Sequence, residues 1–160
     1  MCKLLRGLFL VYHLITMLSV RAQVALVDSL EKELNKVHHD TTLINIHLKL
    51  SGIWMLKNYN KAIFHAREAV RLADQKEYTN KQSLTHQNLG LILNLSGDYT
   101  SAIEQEKLAI QYSIKLGDTT HLGLSYSNIG NYYHEMGVYD EAYYYLTRAY
   151  RLLQKGKVSK

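Results

Sequence analysis

The sequence predicts an all-α fold, a stack of antiparallel helix pairs, and three observations predict it. Shifted by 40 residues, much of the 160-residue chain falls on itself. Residues that start and stop helices recur at that same interval, and so do small residues suited to close helix crossings. Tyr59, Tyr99 and Tyr139 align, as do Ala62, Ala102 and Ala142, then Ala69, Ala109 and Ala149. Ile44, Leu84 and Leu124 align; Gly90 matches Gly130, Gly97 matches Gly137 and Asn88 matches Asn128. The chain has no proline, which suits long helices joined by short polar connectors.

Taken in order, residues 1–22 read as an export signal. Lys3 and Arg6 give a positive start, Gly7 to Val20 is a mostly apolar run, and Val20-Arg21-Ala22 offers small residues at the cleavage positions. The run is short for a permanent membrane span, which needs about 20 apolar residues; His13 and Arg21 are unusual inside such a signal. An uncleaved membrane anchor is the first alternative, and an ordinary first helix of a cytoplasmic protein the second. No cysteine stands at the cut to accept a lipid.

Residues 23–40 hold a capping helix, expected at about 25–37, whose Asp28, Glu31 and Glu33 beside Lys32 and Lys36 make a solvated face. Three units follow at 41–78, 79–118 and 119–156, with a tail at 157–160. Their helices are expected at 41–56 with 60–75, 80–95 with 100–115, and 120–135 with 140–154. Asp40, Asn80 and Thr120, and again Asn60, Thr100 and Asp140, are expected to cap helix starts through short side-chain oxygens. Gly97 and Gly137 are expected to take the left-handed conformation that ends a helix. In the second and third pairs, Gly90 and Gly130 face a second helix whose close-packing residues are Ala102 with Ala109 and Ala142 with Ala149. Leu89, Ile103, Leu108 and Ile129 fill the space around them.

Charge and chemistry narrow the function. The formal charge is +5, yet Lys3, Arg6 and Arg21 lie in the leader, so residues 23–160 carry 16 basic against 14 acidic side chains. No clustered basic face of the kind that binds nucleic acid is evident. The one cysteine, Cys2, also lies in the leader, which removes disulfides, zinc–thiolate sites and cysteine nucleophiles from the processed chain. His38-His39-Asp40 sits in a connector without further ligands at metal-site spacing, so no metal is expected. His134 and Glu135 are consecutive on a helix and point apart. Neither a phosphate-cradling glycine loop nor a nucleophile motif occurs. The expectation is a non-enzyme without a cofactor.

The third unit carries Tyr126-x2-Ile129-Gly130-x2-Tyr133 and then Ala142-x3-Leu146. This resembles the tetratricopeptide signature, in the longer, 40-residue branch of the family. The second unit keeps Leu89, Gly90, Gly97, Tyr99, Ala102 and Ala109 but has Glu106 where a large apolar residue is usual. The first keeps Tyr59, Ala62 and Ala69, with Leu50 in place of the small residue. The resemblance covers about residues 41–155 and implies a right-handed superhelical α-solenoid that binds a protein or peptide.

In that family the first helices of the pairs line a concave groove. Carried over, the groove positions are His47, Ser51, Trp54 and Met55, then Gln87, Leu91, Asn94 and Leu95, then Ser127, Asn131, His134 and Glu135. Gln87 and Ser127 stand where the branch that clamps a C-terminal carboxylate has lysine, so an extended peptide or helical segment is the expected ligand.

Of 13 tyrosines, eight fall between Tyr126 and Tyr150, and consecutive Tyr143, Tyr144 and Tyr145 cannot share one buried stripe. They read either as packing for a further helix or as an aromatic contact surface. The last helix is as apolar as an internal one, through Tyr144, Leu146, Ala149, Tyr150 and Leu153. A missing helix, a partner, or a homodimer through that face would cover it. An exported stack of this period also resembles the sensory front of bacterial signalling proteins with histidine-kinase, cyclase or DNA-binding output.

Overall fold

The computed structural model describes residues 21–36 and 39–158. The residues fall into two units, 1–37 and 38–160, and each is taken by itself. In the first, helix α1 covers residues 21–34 and a turn follows at 35–36. Asp28, Glu31, Lys32, Glu33 and Lys36 are exposed along it. Arg21 and Ala22 are helical, while the rest of the expected export signal, with Cys2, Lys3, Arg6 and His13, lies outside the described residues, as does His38.

The second unit holds six helices: α2 (Asp40–Trp54), α3 (Tyr59–Gln75), α4 (Thr79–Leu95), α5 (Tyr99–Leu116), α6 (Thr119–Glu135) and α7 (Tyr139–Val158). They form three antiparallel pairs, each packing on the next: α3 on α4, and α5 on α6. The helices begin one residue earlier than expected, and α7 runs four residues past 154.

One turn chemistry recurs every 20 residues. At the ends of α3, α4, α5 and α6, the N–H groups of Tyr78, Asp98, Asp118 and Val138 reach back to the carbonyls of Ala73, Leu93, Ser113 and Tyr133 at 2.9–3.0 Å. The residue before each donor is left-handed, with φ of 50° at Glu77, 88° at Gly97, 69° at Gly117 and 76° at Gly137. This bond closes a helix end only when the preceding residue turns left-handed, which favours glycine. Glu77 adopts the conformation without that freedom.

The capping residues differ from expectation. Asn58 accepts from Lys61 N, Asp98 from Ser101 N, and Asp118 from Thr120 N and His121 N. Asn60, Thr100, Asp140, Asp40, Asn80 and Thr120 lie instead inside the first helical turn. The connectors before α3, α5 and α6 hold capping-type residues two apart, and before α5 and α6 the left-handed glycine decides between them: the cap comes directly after it at Asp98 and Asp118. Asn58 caps without such a glycine, and Tyr78 and His39 precede α4 and α2 without a capping side chain.

The small residues form the seams. Ala62, Ala69, Ala102, Ala109, Ala142 and Ala149 are all buried. A Cβ added to Gly90 would lie 3.2 Å from the Ala102 carbonyl and from Glu106 Oε1. One added to Gly130 would lie 2.7 Å from Leu146 Cγ. Forty residues before Gly90 and Glu106 stand Leu50 and Ala66, both fully buried, so large and small have exchanged places between the helices of the first pair. The main core joins Ala62, Ala66, Leu89, Ile92, Leu93, Ala102, Ile103, Ile129 and Tyr132, with Tyr133 and Tyr145 packed against it.

A candidate protein-binding groove

The first helices α4 and α6 touch one another directly, whereas the second helices α5 and α7 each pack on α6 without extended contact between themselves. The first helices therefore lie on the inner side of this part of the stack. Polar side chains tie them together. Ser51 Oγ on α2 lies 2.8 Å from Asn88 Oδ1 on α4 and equally close to its own Leu48 carbonyl. Lys81 Nζ on α4 donates to Asn45 Oδ1 at 3.0 Å. Gln87 Nε2 on α4 donates to the His121 carbonyl and to Ser125 Oγ on α6, both at 2.7 Å.

These ties sort the twelve expected groove positions. Ser51 and Gln87 are buried and spent on their neighbours, and Asn94 is buried with Oδ1 lacking a hydrogen bond. His47, Trp54, Met55 and Ser127 are half-buried. Leu91 and Leu95 are exposed at 38% and 40%, although they sit on the most enclosed helix of the stack. Asn131, His134 and Glu135 are exposed on α6, with the His134 ring edge-on to Tyr139. The exposed positions among the twelve are thus a leucine pair one turn apart on α4 and three polar residues on α6.

Around Trp54, Lys61 Nζ lies 4.1 Å from the ring centroid, a cation–π contact. The indole N–H itself is buried without an acceptor. His47 Nδ1 lies 3.1 Å from His65 Nδ1, so one nitrogen donates and the other accepts. Burial, then the neighbouring His65, pushes the His47 pKa down.

The most perturbed carboxyl lies outside the expected positions. Glu106, on α5, is fully buried. Its Oε1 accepts from Asn128 Nδ2 at 2.7 Å and from the Tyr132 hydroxyl at 3.3 Å, both on α6. Oε2 lacks a hydrogen bond of good geometry, though Ser125 also acts on the carboxyl. Burial raises the Glu106 pKa to about 7, against the pull of Ser125, Asn128 and Tyr132. Burial and the adjacent carboxylate drive the Tyr132 pKa upward too. The signal for this network was in the sequence: a glutamate at a position usually large and apolar, and an asparagine repeated at 88 and 128.

Among the described residues no three His, Cys, Asp or Glu side chains could hold one metal ion. Nor is any described helix long and apolar enough to cross a membrane.

Three helix pairs, inward first helices and glycine seams repeating at a fixed interval define the architecture, and residues 81–155 match the family model described as tetratricopeptide repeat. The second unit has the fold of a tetratricopeptide repeat stack. Its fold is similar to the tetratricopeptide domain of Arabidopsis FLU, with 20% identity, a TM-score of 0.66, and 73% of this chain and 99% of that one covered. It is similar as well to the apo form of RapI, with 21% identity and a TM-score of 0.75. That likeness takes in 84% of this chain and 50% of RapI, so the stack spans about half of RapI's length. No curated protein matches by sequence. Tetratricopeptide stacks are in general scaffolds for protein interaction.

Proposed function

We propose that this stack binds a protein or peptide partner along its first helices, and that residues 1–22 export it to the cell envelope. The observation that carries the binding face is the pair Leu91 and Leu95. Nearly every other residue of α4 is enclosed, yet these two large apolar side chains stand open at the inner face, one helical turn apart. Asn131, His134 and Glu135 supply exposed hydrogen-bonding groups on α6. An apolar anchor flanked by polar groups suits an extended segment or one face of a helix. Neither nucleic acid nor a cofactor is part of this reading.

The test is selection of peptides from a random display library on the purified chain, followed by affinity measurement on variants. Leu91→Ser and Leu95→Ser should each weaken selected peptides about tenfold or more. Ile114→Ser, an exposed residue of α5, should leave them unchanged. Equal loss at Ile114, or none at the leucines, would remove the groove from consideration.

Export rests on the charged start, apolar run and small residues at 20 and 22. A second reading, a sensory front end of a histidine-kinase-like or transcription-regulating protein, rests on that leader preceding repeats of 40-residue period. Immunoblotting of fractionated source cells separates them. A soluble envelope band somewhat below 18.5 kDa supports a processed scaffold; a much larger membrane band supports the sensor.

A further inference from the structure

A cleft between the second and third pairs shares no residue with the groove positions. Helices α5 and α7 both rest on α6 without extended contact with each other, and this leaves a cleft of about 310 Å³. Tyr126 of α6, Lys107 and Ile110 of α5, and Tyr144, Tyr145 and Arg148 of α7 line it. The cleft opens on the face of α7 turned back toward the preceding pair.

Its walls are fixed by ring contacts. Tyr145 stacks on Tyr133 at 5.7 Å, and Tyr144 meets Tyr145 edge-on at 5.1 Å. Arg148 is held by the tyrosines. Its guanidinium carbon lies 4.9 Å from the Tyr144 ring centroid and 5.5 Å from that of Tyr126, and Nη1 donates to the Tyr126 hydroxyl at 3.3 Å. A guanidinium spread over aromatic faces keeps its remaining N–H donors in a fixed fork suited to an oxyanion. Neither Arg148 nor Lys107, on the facing wall, makes an ion pair with a carboxylate among the described residues.

We propose that this cleft binds the carboxylate side chain of an acidic peptide segment, held between Arg148 and Lys107. Tyr126 accepts from Arg148, so its own hydroxyl proton is left to donate to the bound carboxylate. Tyr144, Tyr145 and Ile110 offer ring and methyl surface to an adjoining apolar residue. The volume suits one or two side chains of an extended segment. The site is independent of the inner groove, sharing no residue with it, and either can fail without the other.

The test uses the full chain and a fluorescein-labelled hexapeptide of alternating glutamate and phenylalanine, with fluorescence anisotropy as the readout. The glutamine–phenylalanine counterpart is the neutral control. Binding of the acidic peptide should fall about tenfold in Arg148→Gln and in Lys107→Gln, the loss expected for a charge-assisted hydrogen bond. It should weaken with salt. Both residues are exposed, so circular dichroism should show unchanged helix content in each variant. Lys49→Gln, an exposed lysine on α2, removes the same charge elsewhere and should leave binding intact. Equal binding of the neutral peptide, equal loss in Lys49→Gln, or loss in Leu91→Ser with Arg148→Gln unaffected would each overturn the assignment.

Discussion

Gly130 and Leu146 fit as hollow and wedge: a Cβ on the glycine would lie 2.7 Å from Leu146 Cγ and 3.1 Å from its backbone nitrogen. The second contact matters because backbone cannot swing away as a side chain tip can. Gly130→Val should cost about 1–3 kcal/mol through overpacking. Part of that cost should return in the double variant with Leu146→Ala, which copies the exchange already present at Leu50 and Ala66. Chemical denaturation of the four chains gives the coupling energy. Strict additivity would mean that the two residues do not share the space.

Glu106 makes stability depend on pH. The carboxyl titrates near 7 when folded and near 4.5 in an unperturbed chain. The folded state therefore binds the proton more tightly. Its stabilising contribution is fully present below about pH 4.5, falls as pH rises toward 7, and is gone above that. The loss is on the order of 3 kcal/mol. Glu106→Gln keeps an acceptor for Asn128 and removes the charge. Its Tm should change less between pH 5 and pH 8 than that of the parent, and at pH 8 it should be the more stable chain. Parallel pH profiles would show that the carboxyl does not carry the effect.

Glu77 is the non-glycine member of the left-handed series, at φ 50°. A side chain there costs roughly 1–2 kcal/mol in backbone strain, partly offset by the entropy glycine loses on folding. Glu77→Gly should raise stability by about 0.5–1 kcal/mol, and Gly97→Ala should lower it by a similar amount or more. Thermal melts of the pair suffice, and a destabilised Glu77→Gly would contradict the assigned conformation.

Asp118 satisfies two N–H groups at the start of α6, with both contacts at 3.0 Å, while its other oxygen meets His121 Nδ1 at 2.7 Å. Hydrogen bonds from the His121 backbone and then its ring hold the Asp118 pKa below the usual carboxylate range. Asp118→Ala should cost about 1 kcal/mol. Asp118→Asn should cost less, since it retains the acceptor. Hydrogen exchange at the first amides of α6 should accelerate in the alanine variant; unchanged exchange would argue against the cap.

The fold was legible because one interval organises turns, seams and core together. Gly97 and Gly137 end helices, Gly90 and Gly130 admit their neighbours, and the alanines at 62, 102 and 142 mark the same seam. Three of the caps, at Asn58, Asp98 and Asp118, lie two residues before the expected ones; Asp98 and Thr100 are alike in chemistry, and only the left-handed glycine before Asp98 selects it. At the candidate groove, the sequence supplied the helix face but not its depth. Ser51 and Gln87 occupy the same helical stripe as Leu91, yet their polar groups are consumed between helices. Which side chain is spent on a neighbour depends on inter-helix distance, and no residue pattern along one helix contains that. The Arg148 cleft joins three helices and was equally invisible, although the tyrosine run around it was not.

The reach of Glu106 into the following pair also restricts how such repeats can be rearranged. Its carboxyl is accommodated by Asn128 and Tyr132, residues supplied by the unit that comes next. Leu146, at the corresponding place one unit later, makes no such demand on a successor. A duplicate of the second unit moved to the end would carry a buried acid toward a surface without its amide and phenol. Duplication or shuffling of these repeats would then be selected not only for shape but for matched donors across each junction, and this gives the three units a fixed order rather than interchangeable places.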